Sequence, residues 1–166
     1  MELFHGHPLL ESTRFRLRPI RSEEVDRTHE LGLAYWGGKP ATSIEFARQS
    51  VEKMADEFRN DRGYHWLVES KVDGSIVAAV GFYRGFADAQ GEVGYVVGSP
   101  FRGLGIMTEL MPVLLAFGFG EKKLARIIAV TRGENAPSVA LLKRFGFIHE
   151  CDRDDGYRQF ARTPLA

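Results

Sequence analysis

The chain has 166 residues, a length that fits one domain at about 100–200 residues per domain and leaves no room for two full ones. Hydrophobic residues make up 44% and charged residues 27%, the balance of a folded globular protein rather than a disordered or fibrous one. Lys+Arg and Asp+Glu both number 22, so the formal net charge is zero; this argues against a dedicated nucleic-acid binder, while leaving room for one local phosphate pocket.

In chain order, the opening Met1-Glu2-Leu3-Phe4-His5-Gly6-His7-Pro8 has no basic region followed by an apolar run and does not read as a signal peptide. No apolar stretch approaches the ~20 residues that span a bilayer, so the expected setting is the cytoplasm, without membrane contact. Arg14-Phe15-Arg16-Leu17-Arg18 alternates with period two and stops at Pro19, the pattern of a strand with one basic face. Its arginines could line an acidic substrate path; a solvated strand face is the simpler account. Ser22-Glu23-Glu24 opens a helix with acidic residues where the dipole favours them. Tyr35-Trp36-Gly37-Gly38-Lys39-Pro40 is an aromatic, Gly/Pro-rich loop whose rings serve either binding or the core. Thr42 and Glu45 stand at capping-box spacing, and Ala47, Val51, Met54 and Phe58 recur at helical intervals, which predicts a second helix ending near Asn60.

Tyr64 to Lys71 and Ile76 to Arg84 flank an Asp73-Gly74 turn and read as a hairpin. A loop from Gly85 to Gly91 leads into a strand over Glu92–Val97. After Pro100, Arg102-Gly103-Leu104-Gly105 opens a long helix with Ile106, Leu110, Val113, Leu114 and Phe117 on one face. Pro112 inside it removes a hydrogen bond and should kink the helix or mark an irregular turn. Ala125–Thr131 reads as a buried strand, Pro137–Phe145 as a short helix closed by Gly146, and Phe147–Cys151 with Tyr157–Ala161 as a final strand pair. Cys151 is the one cysteine, which excludes an internal disulfide and a cysteine-built zinc site; it reads as a buried or half-buried spectator, and no metal is expected.

The order is strand, two helices, three strands, helix, strand, helix, two strands. Glu92 to Thr131 is a strand–helix–strand unit whose strands should run parallel through a right-handed crossover, with the remaining strands antiparallel. The expected class is α/β, a mixed sheet with helices on both faces.

The strongest local chemical signal is the glycine turn. Arg102-Gly103-Leu104-Gly105 lies between a strand and a helix, where free backbone N–H groups and the helix dipole can hold a phosphate, with Arg102 adding charge. It is not a Walker A loop, because no Gly-Lys-Ser/Thr follows, and the third glycine of a dinucleotide fingerprint is replaced by Thr108. On its own the turn fits a tight strand-to-helix connection equally well.

The rest of the C-terminal half adds to it. Gly94-Tyr95, Pro100-Phe101-Arg102-Gly103-Leu104-Gly105-Ile106-Met107-Thr108-Glu109, Asn135-Ala136-Pro137-Ser138 and Phe145-Gly146-Phe147 follow in order. With this set the chain resembles the GNAT superfamily of acyl-CoA-dependent N-acetyltransferases. The opening Glu11-Ser12-Thr13-Arg14-Phe15-Arg16-Leu17-Arg18-Pro19-Ile20 and the Asn-x-x-Ser pair are similar to its ribosomal-protein N-terminal (RimJ/RimL-like) branch. The resemblance runs from about Leu10 to Ala161 within a single domain over residues 1–166.

The resemblance implies a mostly antiparallel seven-stranded sheet in which two central parallel strands splay and the pantetheine arm of acetyl-CoA lies in the gap. Backbone groups at Val96 and Val97 would bind the arm and polarise the thioester carbonyl. The N–H groups from Arg102 through Gly103, Leu104, Gly105, Ile106, Met107 and Thr108 would hold the pyrophosphate. Asn135 matches the asparagine beside the pantetheine and is equally suited to cap the following helix. Two departures stand out. Met107 occupies a position usually taken by Gly or Ala, where a side chain facing the diphosphate would crowd it. Leu142 replaces the tyrosine that often protonates the leaving thiolate, and Ser138, one turn earlier, is the serine assigned that work in the RimJ/RimL-like branch.

The acceptor amine must be neutral to attack. A lysine amine with pKa about 10.4 and an α-amine at about 7.7–8.0 differ by ~3.5 kcal/mol in that respect, which favours an α-amine in an enzyme without a strong base. Glu92 is the candidate base, acting through water, with His65 and Glu69 weaker alternatives. The implied activity is acetyl transfer from acetyl-CoA by direct attack in a ternary complex, with a protein N-terminus as preferred acceptor. A small-molecule amine (polyamine, amino acid or antibiotic) is the alternative, and a non-catalytic acyl-CoA-binding module is the rival from another class. The exposed terminal strand pair offers an edge for a homodimer.

Overall fold

A computed structural model of the protein describes residues 2–36 and 39–165. Gly37 and Gly38 lie outside the described residues, as do the side chains of Tyr35 and Trp36, and with them the question of whether those rings bind or pack.

The chain opens with β1 (Leu10–Glu11) and β2 (Phe15–Arg18). β2 keeps its predicted alternation, with Phe15 and Leu17 buried and Arg16 exposed. A 3-10 turn at Ser22–Glu24 enters α1 (Val25–Glu30), followed by the paired dipeptides β3 (Tyr35–Trp36) and β4 (Lys39–Pro40). Next is α2 (Ile44–Arg59), which buries Ala47, Val51 and Ala55. Its cap is Ser43 rather than the expected capping pair at Thr42: the extended Ser43 backbone turns its hydroxyl oxygen to accept the Phe46 N–H at 3.2 Å.

β5 (Tyr64–Ser70) and β6 (Ile76–Tyr83) follow, then β7 (Gln90–Val97) and α3 (Ile106–Leu115). Pro112 does not end α3. The helix runs on to Leu115 and then loosens into π-helical turns over Ala116–Glu121. Gly118 lies in those turns, and a Cβ there would stand 2.6 Å from Ile127 Cδ1, so a larger residue would have to displace that side chain. β8 (Arg126–Arg132), α4 (Ala136–Arg144), β9 (Ile148–Asp152) and β10 (Tyr157–Arg162) complete the chain.

Eight strands form one mixed sheet in the order β1-β2-β5-β6-β7-β8-β10-β9. The β1–β2, β2–β5, β8–β10 and β9–β10 pairs are antiparallel, and β7–β8 is the parallel pair that the strand–helix–strand reading anticipates. Its ladder covers Gln90↔Arg126, Gly91↔Ile127 and Glu92↔Ile128 and stops there, although β7 continues to Val97 and β8 to Arg132. The expected seven strands become eight because Leu10–Glu11 pairs with Arg16 and Leu17, an addition too short to leave a period in the sequence. Cys151 is corrected as well: it is exposed, since β9 forms the sheet's edge and exposes all five of its residues.

Backbone packing groups the chain into two compact units, Met1–Gly81 with Tyr95–Ile106, and Phe82–Gly94 with Met107–Ala166. In the first, Phe4, Val25, Ala41, Ala47, Val51 and Ala55 form an apolar cluster. Beside Phe4, the His7 ring sits among Phe58, Tyr64 and Trp66 at centroid distances of 4.8, 5.7 and 5.3 Å. In the second, Phe82 packs against Phe86 and Phe117, and Phe160 is 1% exposed.

Candidate functional site

In the first unit the glycine turn immediately precedes α3. Gly103 and Gly105 have φ of +76° and +73°, a region that side chains disfavour. A Cβ added to Gly103 would meet nothing within 4 Å, and one on Gly105 would meet only Arg14 Nη2 at 3.9 Å. The glycines are therefore demanded by the backbone conformation, and the space over them is open. Such a turn at a helix N-terminus, with N–H groups that have no intrahelical acceptor, suits the phosphates of an acyl-CoA.

Two arginines brace the turn. Arg102 Nε donates to the Val97 carbonyl at 3.3 Å, tying the end of β7 to it. Arg14 donates from both Nη1 and Nη2 to the Leu104 carbonyl, each at 3.3 Å. Arg14 and Arg16 are both exposed, as the solvated-face reading expects, although Arg14 also reaches the turn. Arg18 is held by Glu24 at 2.6 Å and Glu69 at 2.9 Å, with its side chain 12% exposed. Val96 and Val97 are half-buried.

In the second unit Met107 is 8% exposed and packs into the interior, whereas Leu104 in the turn is 56% exposed. Thr108 is exposed, and its hydroxyl accepts from Arg144 Nη1 at 3.0 Å. Asn135 is the N-cap of α4: its Oδ1 accepts the Ser138 N–H at 3.4 Å, which sets Ser138 in the helix's first turn, half-buried. Leu142 is fully buried, so the position of the missing tyrosine is core.

Glu92 closes the parallel ladder, and its carboxylate pairs with Arg84. The Glu92 side chain is 12% exposed and that of Arg84 59%. Burial pushes the Glu92 carboxyl above its ordinary range, opposed by the charges of Arg84 and then Arg153. A carboxyl raised in this way is a better base at neutral pH than an exposed one. Arg84 has φ of +63°, left-handed backbone that a long side chain rarely adopts. The two weaker base candidates are engaged elsewhere: His65 Nε2 meets Glu57 Oε2 at 3.2 Å, and Glu69 holds Arg18.

Sequence reasoning missed three contacts: Arg14 on the turn, Arg84 on Glu92 and Arg144 on Thr108. Arg14 and Arg144 reach partners 90 and 36 residues away, which no local pattern announces. Among the described residues no group of three or more His, Cys, Asp or Glu side chains is placed to hold a metal ion, and no helix is long and apolar enough to cross a membrane.

Residues 14–148 match the family model described as acetyltransferase (GNAT) domain. The chain is 26% identical over 149 residues to the uncharacterized N-acetyltransferase YoaA of Bacillus subtilis, covering 86% of this chain and 84% of that one. Among solved structures it is similar to Mycobacterium smegmatis RimJ in complex with CoA-disulfide, with a TM-score of 0.80 and 24% identity over 95% of this chain and 88% of that one. The ribosomal-protein-S5-alanine acetyltransferase of Vibrio fischeri gives a TM-score of 0.78 and 21% identity over 94% and 96% of the two chains.

Proposed function

The chain belongs to the GNAT acetyltransferase family, whose members transfer acetyl from acetyl-CoA to an amine, and from that premise we propose that its acceptor is a protein or peptide N-terminal α-amine, attacked directly within a ternary complex. The observation that carries this reading is the Arg84–Glu92 pair. The candidate base is a single buried carboxylate already engaged by a cation, which suits an amine that is partly neutral at physiological pH better than one that must be stripped of a tightly held proton. The name of the ribosomal-protein-S5-alanine acetyltransferase structure points to a protein acceptor for that protein.

The cosubstrate supplies an activated acetyl group as a thioester. The N–H groups from Arg102 through Thr108 are assigned to its pyrophosphate, supported by the open, left-handed turn at Gly103 and Gly105. The burial of Met107 removes the crowding that its side chain would otherwise cause. Backbone groups at Val96 and Val97 are assigned to the pantetheine arm and the thioester carbonyl. Ser138 is the acid that returns a proton to the leaving thiolate. Its backbone N–H is held by the Asn135 cap in the first turn of α4. Glu92 takes the proton from the amine through a water molecule.

The fully exposed edge strand β9 supports a homodimer built on that edge. Thiol release from acetyl-CoA across a peptide with a free N-terminus, a polyamine and an amino acid tests the reading. Release driven by the peptide supports it, release confined to the polyamine transfers the function to small amines, and coenzyme A binding without release under any amine favours a non-catalytic module.

A further inference from the structure

We infer that Arg14 is a positioning residue for the diphosphate of acetyl-CoA: by holding the Leu104 carbonyl it aims the Gly105 N–H at the anion. The inference rests on the proposed reading of the glycine turn as the diphosphate cradle.

Arg14 stands one residue before β2, 90 residues away in sequence, and both of its terminal nitrogens donate to Leu104 O at 3.3 Å. The Leu104 carbonyl and the Gly105 N–H are two ends of one peptide unit. That unit is trans, so the two groups point in opposite directions. Fixing the oxygen toward Arg14 therefore fixes the N–H on the side of the peptide away from Arg14.

The turn needs such a brace. The Leu104–Gly105 peptide is flanked by Gly103 and Gly105, both left-handed and both lacking the Cβ that would bias the backbone. Glycines leave room for a ligand to approach, and they also make rotation of the intervening peptide cheap. An unbraced peptide would point its N–H at the ligand only part of the time, and its carbonyl at the ligand otherwise. A carbonyl oxygen facing a diphosphate repels it. The guanidinium fork removes that alternative, which a single ammonium donor does less well. It has a second effect, because donors on a carbonyl polarise the amide and strengthen its N–H as a donor.

The arginine is itself held near the turn. Its guanidinium carbon lies 5.0 Å from the Phe15 ring centroid, and Phe15 is a buried β2 residue. The Nη2 atom is 3.9 Å from where a Gly105 Cβ would be, so the guanidinium lies against the turn. The residue just before β2 thereby contributes to the proposed ligand site, although its alternating pattern marked it as surface.

The test uses the whole protein, coenzyme A and pantetheine, the latter carrying the same arm without phosphates. Calorimetry should show that Arg14→Ala weakens coenzyme A by at least about tenfold, the scale of one lost charge-assisted hydrogen bond, while the affinity for pantetheine is unchanged. The downfield shift of the Gly105 amide proton on titration with coenzyme A should shrink in Arg14→Ala and return in part in Arg14→Lys. Equal coenzyme A affinity in Arg14→Ala and the parent protein would overturn the inference. So would parallel losses for both ligands, or a weakened coenzyme A affinity with the Gly105 response intact. If Arg14→Ala fails to fold, Arg14→Met, which keeps the side-chain stem without a donor, carries the same comparison. A parent protein that binds no coenzyme A overturns the reading of the turn itself, a result distinct from the failure of Arg14.

Discussion

Arg84 and Glu92 form an ion pair whose two members live in different surroundings: the carboxylate is sunk in the second unit with its side chain 12% exposed, and the guanidinium is 59% exposed, one residue past the end of β6. Burial raises the carboxyl above its ordinary range, and Arg84 is the larger of two cationic influences that hold it down, Arg153 being the other. Arg84→Gln removes the larger restraint, so the carboxyl rises further. The acid limb of kcat/KM against pH should then move to higher pH, because the base must lose its proton before it can act. A pH–rate profile identical to that of the parent protein would detach Glu92 from the proton transfer.

Glu92→Gln and Ser138→Ala probe the two proton-transfer roles. Each should lower kcat by about 10²-fold or more while calorimetric affinity for coenzyme A is retained. Their stabilities are informative too. The folded Glu92 carboxyl holds its proton to higher pH than the unfolded chain does, so its ionisation costs stability as pH rises from the ordinary carboxylate value through the raised one, and that cost persists at neutral pH. Glu92→Gln should therefore melt no lower than the parent at pH 7. A clear drop would mean that the ion pair stabilises the fold on balance.

Gly105→Asp places a carboxylate on the turn assigned to the pyrophosphate. Its affinity for coenzyme A should fall at least about tenfold by calorimetry, which is a loss of about 1.4 kcal/mol. Gly105→Ala separates backbone from charge. At φ of +73° it carries a conformational strain of about 1–2 kcal/mol without the like-charge repulsion, so it should lower stability more than affinity. Parent-like affinity in the aspartate variant would leave the turn with a purely structural role.

His7 should make the fold acid-sensitive. Its Nδ1 donates to the Pro8 carbonyl at 3.1 Å, its Nε2 accepts the His65 N–H at 3.4 Å, and it is 6% exposed among aromatic rings. Burial pulls its pKa from 6.5 down to about 4, with the neighbouring His65 adding to the effect against the Pro8 bond. The unfolded imidazole takes up a proton near pH 6.5 and the folded one resists until about pH 4. The stability it contributes is therefore complete above pH 6.5 and is lost as pH falls toward 4, by at most about 3 kcal/mol. Urea midpoints measured across that window should decline in the parent and decline less in His7→Gln. Equal slopes would assign the acid sensitivity to other groups.

Much of the fold is written in short-range patterns. The alternation around Phe15 and Leu17, the helical spacing of Ala47, Val51 and Phe58, and the strand–helix–strand order around Ile106–Leu115 each report on a buried face, and each is found where expected. What escapes is either too short or too distant. Leu10–Glu11 is a two-residue strand with no period to detect, and Ser43 caps α2 because of one backbone rotation next to Thr42. The exposure of Cys151 follows from the place of β9 at the sheet's edge, a fact about topology. The candidate site divides the same way. Gly103, Gly105, Asn135 and Ser138 stand out as a local motif. Arg14 looked like one of three equivalent surface arginines, because its partner is 90 residues away. The burial that raises the Glu92 carboxyl depends on the packing of the second unit, which composition does not report.

The most direct test of the account is acetyl transfer to two matched peptides, one with a free N-terminus and no lysine, the other with a blocked N-terminus and one lysine. Mass spectrometry after incubation with acetyl-CoA and the whole protein should find acetylation of the first, with kcat/KM at neutral pH at least about tenfold above any seen for the second, well within the factor allowed by the difference in amine basicity. Acetylation of the lysine peptide at an equal or greater rate, or of neither peptide while coenzyme A still binds, would contradict it.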